Sequence, residues 1–288
     1  MTHRGQVEHG SVAAPSDRLV VAVDDLLDCR SALRFAVDEA LSSRCRIEVL
    51  HVPQGEGDDT TSEALEPSLL MVSALSGGKV DATASITRGP VVEVLVGVSR
   101  DAALLVVEHR RISPLRRQLV PSIAMSVAGR VQCALVSVPQ GWAPAGGSSS
   151  WVTVGVDALD RQTDDLVEEA FALADRRGRR LRLVHAWSMS NPYDDVVVDQ
   201  AVEDDWARAY RARLGDLLSP HLAVHPRVET AVEVEHQDPA KTLLRWSSES
   251  DLLLIRRGHL VHPLVDGLGS VSRRLVEDSR CPVRVSCL

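Results

Sequence analysis

A group of anion-binding side chains lies near the carboxyl end of the chain. The stretch RRGHLVHPLVDGLGS, Arg256 to Ser270, sets two guanidinium groups (Arg256, Arg257) and an imidazole (His259) ahead of a Gly269–Ser270 pair. Guanidinium and imidazole groups donate to phosphate oxygens. A Gly-Ser pair that opens a helix, with Val271 next to it, turns free backbone N–H groups on the same anion. The stretch follows an apolar run, DLLLI, and precedes the helix-like VSRRLVEDS. That is the strand–loop–helix setting of a phosphate cradle. Such a cradle normally relies on glycine for close backbone approach. Here Arg256, Arg257 and His259 either donate to the anion themselves or fill its place.

Other residues could carry chemistry. Asp24 and Asp157 each end an apolar strand, VVAVD and VTVGVD. Such an aspartate can hold a sugar hydroxyl or a base edge, or it can cap the following turn and helix. His221 and His225 are spaced HxxxH, and His259 and His262 HxxH, but no HExxH and no partnering cysteine accompanies them, so surface histidines are expected. Gly78-Lys79 lacks the Ser or Thr and the earlier glycine of a P-loop, and no GxSxG elbow occurs. No nucleophile, base and oxyanion site assemble, so no enzyme is expected.

The elements that must position these residues are written twice. RLVVAVDDLLDCRSALRFAVDEAL corresponds to WVTVGVDALDRQTDDLVEEAFALA, IEVLHV to LRLVHA, DAALLVVEHRR to ESDLLLIRRG, and QCALVSV to RCPVRVS. Leu33, Ala36, Val37, Ala40 and Leu41 share one face of a helix, as do Val167, Ala170, Phe171 and Ala174. Short, continuous apolar strands between helices imply a parallel sheet covered on both faces. The second copy is about 15 residues longer, all of it between His185 and Pro239. A Gly/Ser/Pro/Ala stretch separates the copies. The expected organisation is a disordered tail over residues 1–17, a first domain over 18–139, a linker over 140–150 and a second domain over 151–288. The fold class is α/β, with two tandem doubly wound, Rossmann-like, five-stranded parallel sheets that pack through their final strands. Ligands of such sheets sit at the carboxyl ends of the strands. His51 and His185 end matching strands and are expected to be structural.

The net charge of −8 excludes a broad nucleic-acid surface. No apolar run approaches the length of a membrane span, and the N-terminus has no apolar core. Cys29, Cys45, Cys133, Cys281 and Cys287 form no CxxC pair, which fits a reducing cytoplasm.

In this order, twice over, the pieces resemble the universal stress protein family. The resemblance covers residues 18–139 and 151–287 and implies a tandem two-domain member. In that family the loop reads GxxGx9G[ST] and holds ATP. With Gly269 and Ser270 as its end, the first two glycine positions are Arg256 and His259. In the first copy the three glycine positions are Glu108, Arg111 and Pro121, and only Ser122 survives. The resemblance therefore implies no ATP in the first copy. In the second it implies at most a weak site for ATP or another adenine nucleotide, or for an anion, built from Gly155, Asp157, Ala186, Arg256, His259, Gly269, Ser270 and Val271, without metal. Ala22 and Val52 are the first copy's counterparts of Gly155 and Ala186. The implied role is that of a cytoplasmic, non-enzymatic stress-response or regulatory factor. Pairing of its own two domains, a homodimer or a regulatory protein partner is implied, and no nucleic acid or membrane. A ligand-free scaffold and a nucleotide hydrolase are the alternatives.

Overall fold

The computed structural model describes residues 17–24, 29–53, 65–110, 122–144, 150–188, 200–257 and 268–287, the side chains of 200–203 excepted. The tail call falls almost wholly outside these residues, as do Arg111, Pro121, His259 and His262.

The first copy runs β1 (Arg18–Val23), α1 (Arg30–Ser43), β2 (Arg46–His51), α2 (Glu66–Ser76), β3 (Ala82–Ile86), α3 (Val91–Val98), β4 (Leu104–His109), α4 (Ile123–Ala128) and β5 (Ala134–Pro139). The second repeats it as β6 (Trp151–Gly155), α5 (Arg161–Arg177), β7 (Arg180–Trp187), α6 (Gln200–Val224), β8 (Thr230–His236), α7 (Pro239–Trp246), β9 (Ser250–Arg256), α8 (Ser270–Asp278) and β10 (Val283–Ser286). The extra length of the second copy is found in α6, which has 25 residues against 11 in α2.

The strand order is β3-β2-β1-β4-β5-β10-β9-β6-β7-β8. Each half is parallel and doubly wound, since the chain starts mid-sheet, moves outward and then returns past its start. Alternation along the strands splits the core. On one face Leu19 and Val21 pack with α1, α2, α5 and α6 through Phe35, Val72, Phe171 and Leu214. On the other, Val20 and Leu253 pack with α3, α4, α7 and α8 through Leu95, Val127, Leu243 and Leu275.

The expectation of two sheets packed through their last strands needs correction. The last strands do meet, but they hydrogen-bond antiparallel, Val283 opposite Ser137 and Val285 opposite Leu135, and merge the halves into one ten-stranded sheet. A strand with an unsatisfied ladder gains more by pairing than by packing. Arg284, the polar position of β10, turns to Glu169 of α5 in the same copy, with Nε 2.6 Å from Oε1, so it is held by an ion pair beside the seam. A second tie between the copies joins buried Glu39 of α1 to Arg177 of α5. The start of the linker is also better anchored than its composition implies. Trp142 packs on Phe35 with ring centroids 5.9 Å apart, and the Gly141 N–H donates to Ser31 Oγ at 3.0 Å.

Candidate functional site

At the carboxyl ends of β6, β7 and β9 a cavity of about 420 Å³ opens in the second copy. Gly155, Val184, Ala186, Leu243 and Ile255 form its apolar walls, and Asp157, Arg256, Gly269, Ser270 and Val271 its polar mouth and the start of α8. Among the described residues the structure thus brings together every expected site residue. His259 lies outside them.

The matching cavity of the first copy is about 40 Å³, lined by Ala22, Leu50, Val52, Leu95, Val107, Glu108 and Ile123. Small differences add up. Ala22 faces where Gly155 does, Leu50 where Val184 does, Val52 where Ala186 does, and Ile123 where Val271 does. Each of these steps from the first copy to the second removes carbon, whereas Val107 to Ile255 and Glu108 to Arg256 add it. A cavity of about 300–1,000 Å³ takes a drug-sized ligand, whereas tens of Å³ hold little more than water. Gly155 also matters for packing. A Cβ there would stand 2.9 Å from Leu243 Cδ1, so any side chain would push Leu243 aside.

The polar mouth is already internally paired. Arg256 is buried, and its Nε lies 2.8 Å from Asp157 Oδ1. Its Nη2 donates to Asp157 Oδ2 at 3.0 Å, and its Nη1 to Asp160 Oδ2 at 2.8 Å. Burial alone would lower its pKa, but the hydrogen bonds to Asp160 and Asp157 outweigh that and raise it. Of the two readings of this side chain, donor to a bound anion or occupant of its place, the structure supports the second. Arg257 leaves the site altogether, its Nη2 donating to the Val131 carbonyl at 2.7 Å across the seam.

Asp157 does not cap α5 either. Asp160 does, its Oδ1 accepting from the Thr163 N–H at 2.9 Å. Hydrogen bonds from Arg256 first, and from the Thr163 N–H second, hold the Asp160 carboxyl at about 2. The first copy meets the same need with a carboxylate from the strand end itself. Its N-cap residue is Cys29, which makes no side-chain cap. Glu108, the counterpart of Arg256, reaches over instead, and its Oε2 accepts from the Ala32 N–H at 2.9 Å. Ala32 and Thr163 are the third residues of their helices, so both orphan donors are satisfied, one from across the sheet and one locally.

The helices that follow β4 and β9 differ too. Ser122 caps α4, its Oγ accepting from Met125 N–H at 3.2 Å. α8 begins one residue earlier, with Gly269 as its N-cap and no side-chain cap bond, so its first N–H groups face the cavity.

His51 and His185 are the structural residues expected, with Nδ1 donating to the Val23 and Val156 carbonyls at 3.1 and 2.9 Å. Burial lowers the His185 pKa. His221 and His225 stack on buried Phe171 and face different carboxylates, Asp164 and Asp175, at 2.9 and 3.2 Å. Sequence reasoning missed an aromatic wall beside the cavity. Tyr210 of α6 stacks on His185 at 3.6 Å, and His236 stacks on Trp187 at 3.9 Å. The spacing Trp206-Tyr210-Arg213 on one helix face was its available signal.

The universal stress protein family model matches this chain twice, over residues 15–139 and 151–286. The chain belongs to the universal stress protein family. A universal stress protein of Mycobacterium tuberculosis is 28% identical over 221 residues, covering 73% of this chain and 67% of its own. One from Mycolicibacterium smegmatis is 25% identical over 288 residues, covering 93% and 96%. The crystal structure of a universal stress protein from Archaeoglobus fulgidus superposes with a TM-score of 0.66 at 16% identity, covering 93% of this chain and 95% of that one, a likeness of fold. The tandem arrangement is therefore that of whole relatives of similar length. No helix among the described residues is long and apolar enough to cross a membrane.

Proposed function

We propose that this universal stress protein is a non-enzymatic regulatory factor of the cytoplasm whose second copy holds an adenine nucleotide or a smaller anion weakly, and whose first copy holds none. The observation that carries the reading is the pair of matched cavities, about 420 Å³ against about 40 Å³. The larger one joins small apolar walls, suited to a planar base, to the uncapped start of α8, suited to a phosphate.

Weak binding follows from the charges. Arg256 is spent on two carboxylates, so the trio Arg256, Asp157 and Asp160 carries a net negative charge toward an incoming anion. A triphosphate must either pull Arg256 from Asp157 and Asp160 or rely on the α8 N–H groups alone. The non-enzymatic reading is supported by the same pairing, which engages the ionisable groups of the mouth with one another. A ligand-free scaffold is the second reading, and the closed Arg256 network is what favours it.

Titration of the full chain with ATP, followed by Trp187 fluorescence and calorimetry, tests the proposal. At most one equivalent should bind, weakly, and Ala186→Val, which restores the first copy's residue, should abolish it. No heat and no fluorescence change would leave the scaffold. Two equivalents, or release of phosphate, would overturn the reading.

A further inference from the structure

The antiparallel seam places two cysteines together. Val283, Arg284 and Val285 of β10 stand opposite Ser137, Val136 and Leu135 of β5, and the same register carried on sets Cys287 opposite Cys133. Residues directly opposite in an antiparallel pair are about 4.5–5.5 Å apart at Cα and send their side chains to the same face. That face is fixed here, since Cys133, Leu135, Val283 and Val285 all join the core beneath α4 and α8. The contacts agree: Cys287 Sγ lies 2.7 Å from the Cys133 carbonyl oxygen and 3.8 Å from that of Val131. A disulfide asks for Cα atoms about 4.4–6.8 Å apart, which a direct cross-strand pair meets.

We propose that Cys133 and Cys287 form a thiol–disulfide pair, oxidised by low-molecular-weight disulfides, that staples the two copies across their seam. The two sulfurs have distinct roles. Cys287 is the exposed one of the two; the desolvation around it raises its thiol, and Arg257 Nη2, 2.9 Å from Sγ, is a cation that offsets part of that rise. It attacks one sulfur of the oxidant, forming a mixed disulfide and releasing one thiol, which takes up the proton lost by Cys287. Cys133 is buried, and burial pushes its thiol up to about 11, so it meets no bulky oxidant directly. It attacks Cys287 Sγ instead, closes the internal disulfide and expels the second thiol with its own proton. Two protein thiols are oxidised and one disulfide is reduced to two thiols. Cys29, Cys45 and Cys281 have no opposite cysteine in the sheet registers.

The product closes a loop that contains the linker and the whole second copy, so the halves could no longer separate at β5 and β10. Such a loop restricts the unfolded chain.

The test uses the reduced full-length protein and oxidised glutathione. After alkylation and digestion, mass spectrometry should find the peptides of Cys133 and Cys287 joined, lighter by two hydrogens, and restored by dithiothreitol. Cys133→Ser should leave Cys287 carrying glutathione, because the resolving sulfur is gone. Cys287→Ser should block both products, and its exposed position leaves the fold intact. The oxidised parent should melt at a higher temperature than the reduced one. A parent that stops at the glutathione adduct, links two chains through Cys287, or joins other cysteines first would overturn the proposal.

Discussion

Glu108 and Arg256 stand at the same place in the two halves and carry opposite charges. Glu108 lies opposite Val138 of the neighbouring strand, and Arg256 opposite Ser286, the matching position. Each serves the N-terminus of the helix that follows the first strand of its copy. Glu108 does so directly at Ala32, and Arg256 by pairing with the capping Asp160. The position where nucleotide-binding relatives are expected to carry glycine is thus occupied by a helix-stabilising side chain in both copies.

A charge exchange checks this. Glu108→Gln should cost about 1–2 kcal/mol of stability, as a weakened buried cap does. Glu108→Arg should cost more, because a cation then faces the positive end of α1. Adding Cys29→Asp, which copies the Asp160 arrangement, should recover part of that loss. Denaturant midpoints of the three variants decide it. No recovery in the double variant would mean that the two N-termini are not built on the same plan.

Acid should expose the Asp160 pairing. Its carboxyl is shifted from 3.8 to about 2, so the stability it brings is fully present above the ordinary carboxylate range and is lost as pH falls from about 4 to about 2. Asp160→Asn keeps an effective N-cap and removes the charge. The melting temperature of the parent should fall more steeply over that window than that of the variant. Parallel curves would show that Asp160 titrates normally.

The start of α8 should be the part of the site that senses anions. Ser270→Asp places a carboxylate there and should weaken ATP binding about tenfold, the size of a helix-terminus charge effect. Ser122→Asp at the start of α4 should change nothing, as that copy has no room for the base. Affinity should also decline as salt rises. Calorimetry at two ionic strengths is sufficient.

Limited proteolysis should cut first within residues 140–150. Trp142→Ala, which removes the packing on Phe35, should hasten that cut. A first cut inside either half would place the boundary elsewhere.

Much of this architecture could be read from the residues alone. The strands of each half are short apolar runs, and the helices show their buried faces as Leu33-Ala36-Val37 and Val167-Ala170-Phe171, so local pattern and tertiary burial agree. Gly155, Asp157, Ala186, Gly269, Ser270 and Val271 converge because each sits at a strand or helix end on the same side of the sheet. Three things were hidden for physical reasons. The cap on Ala32 comes from Glu108, 76 residues away, and no local pattern records such a bond. The volume difference between the cavities is a sum of one- and two-carbon changes at separate positions. The merged sheet depends on the ladder groups of β5 and β10, which every residue carries whatever its side chain.

The antiparallel seam also bears on assembly. A protein with one such domain that paired through its last strand would exist as a pair only above some concentration. Here the two partners are tethered, so their encounter is unimolecular and dilution does not part them. The contact is also always between unlike halves. Neither copy then has to match itself across a symmetry axis, and a change that suits one side of the seam need not suit the other. That leaves one half able to fill its cavity while the other keeps its own open.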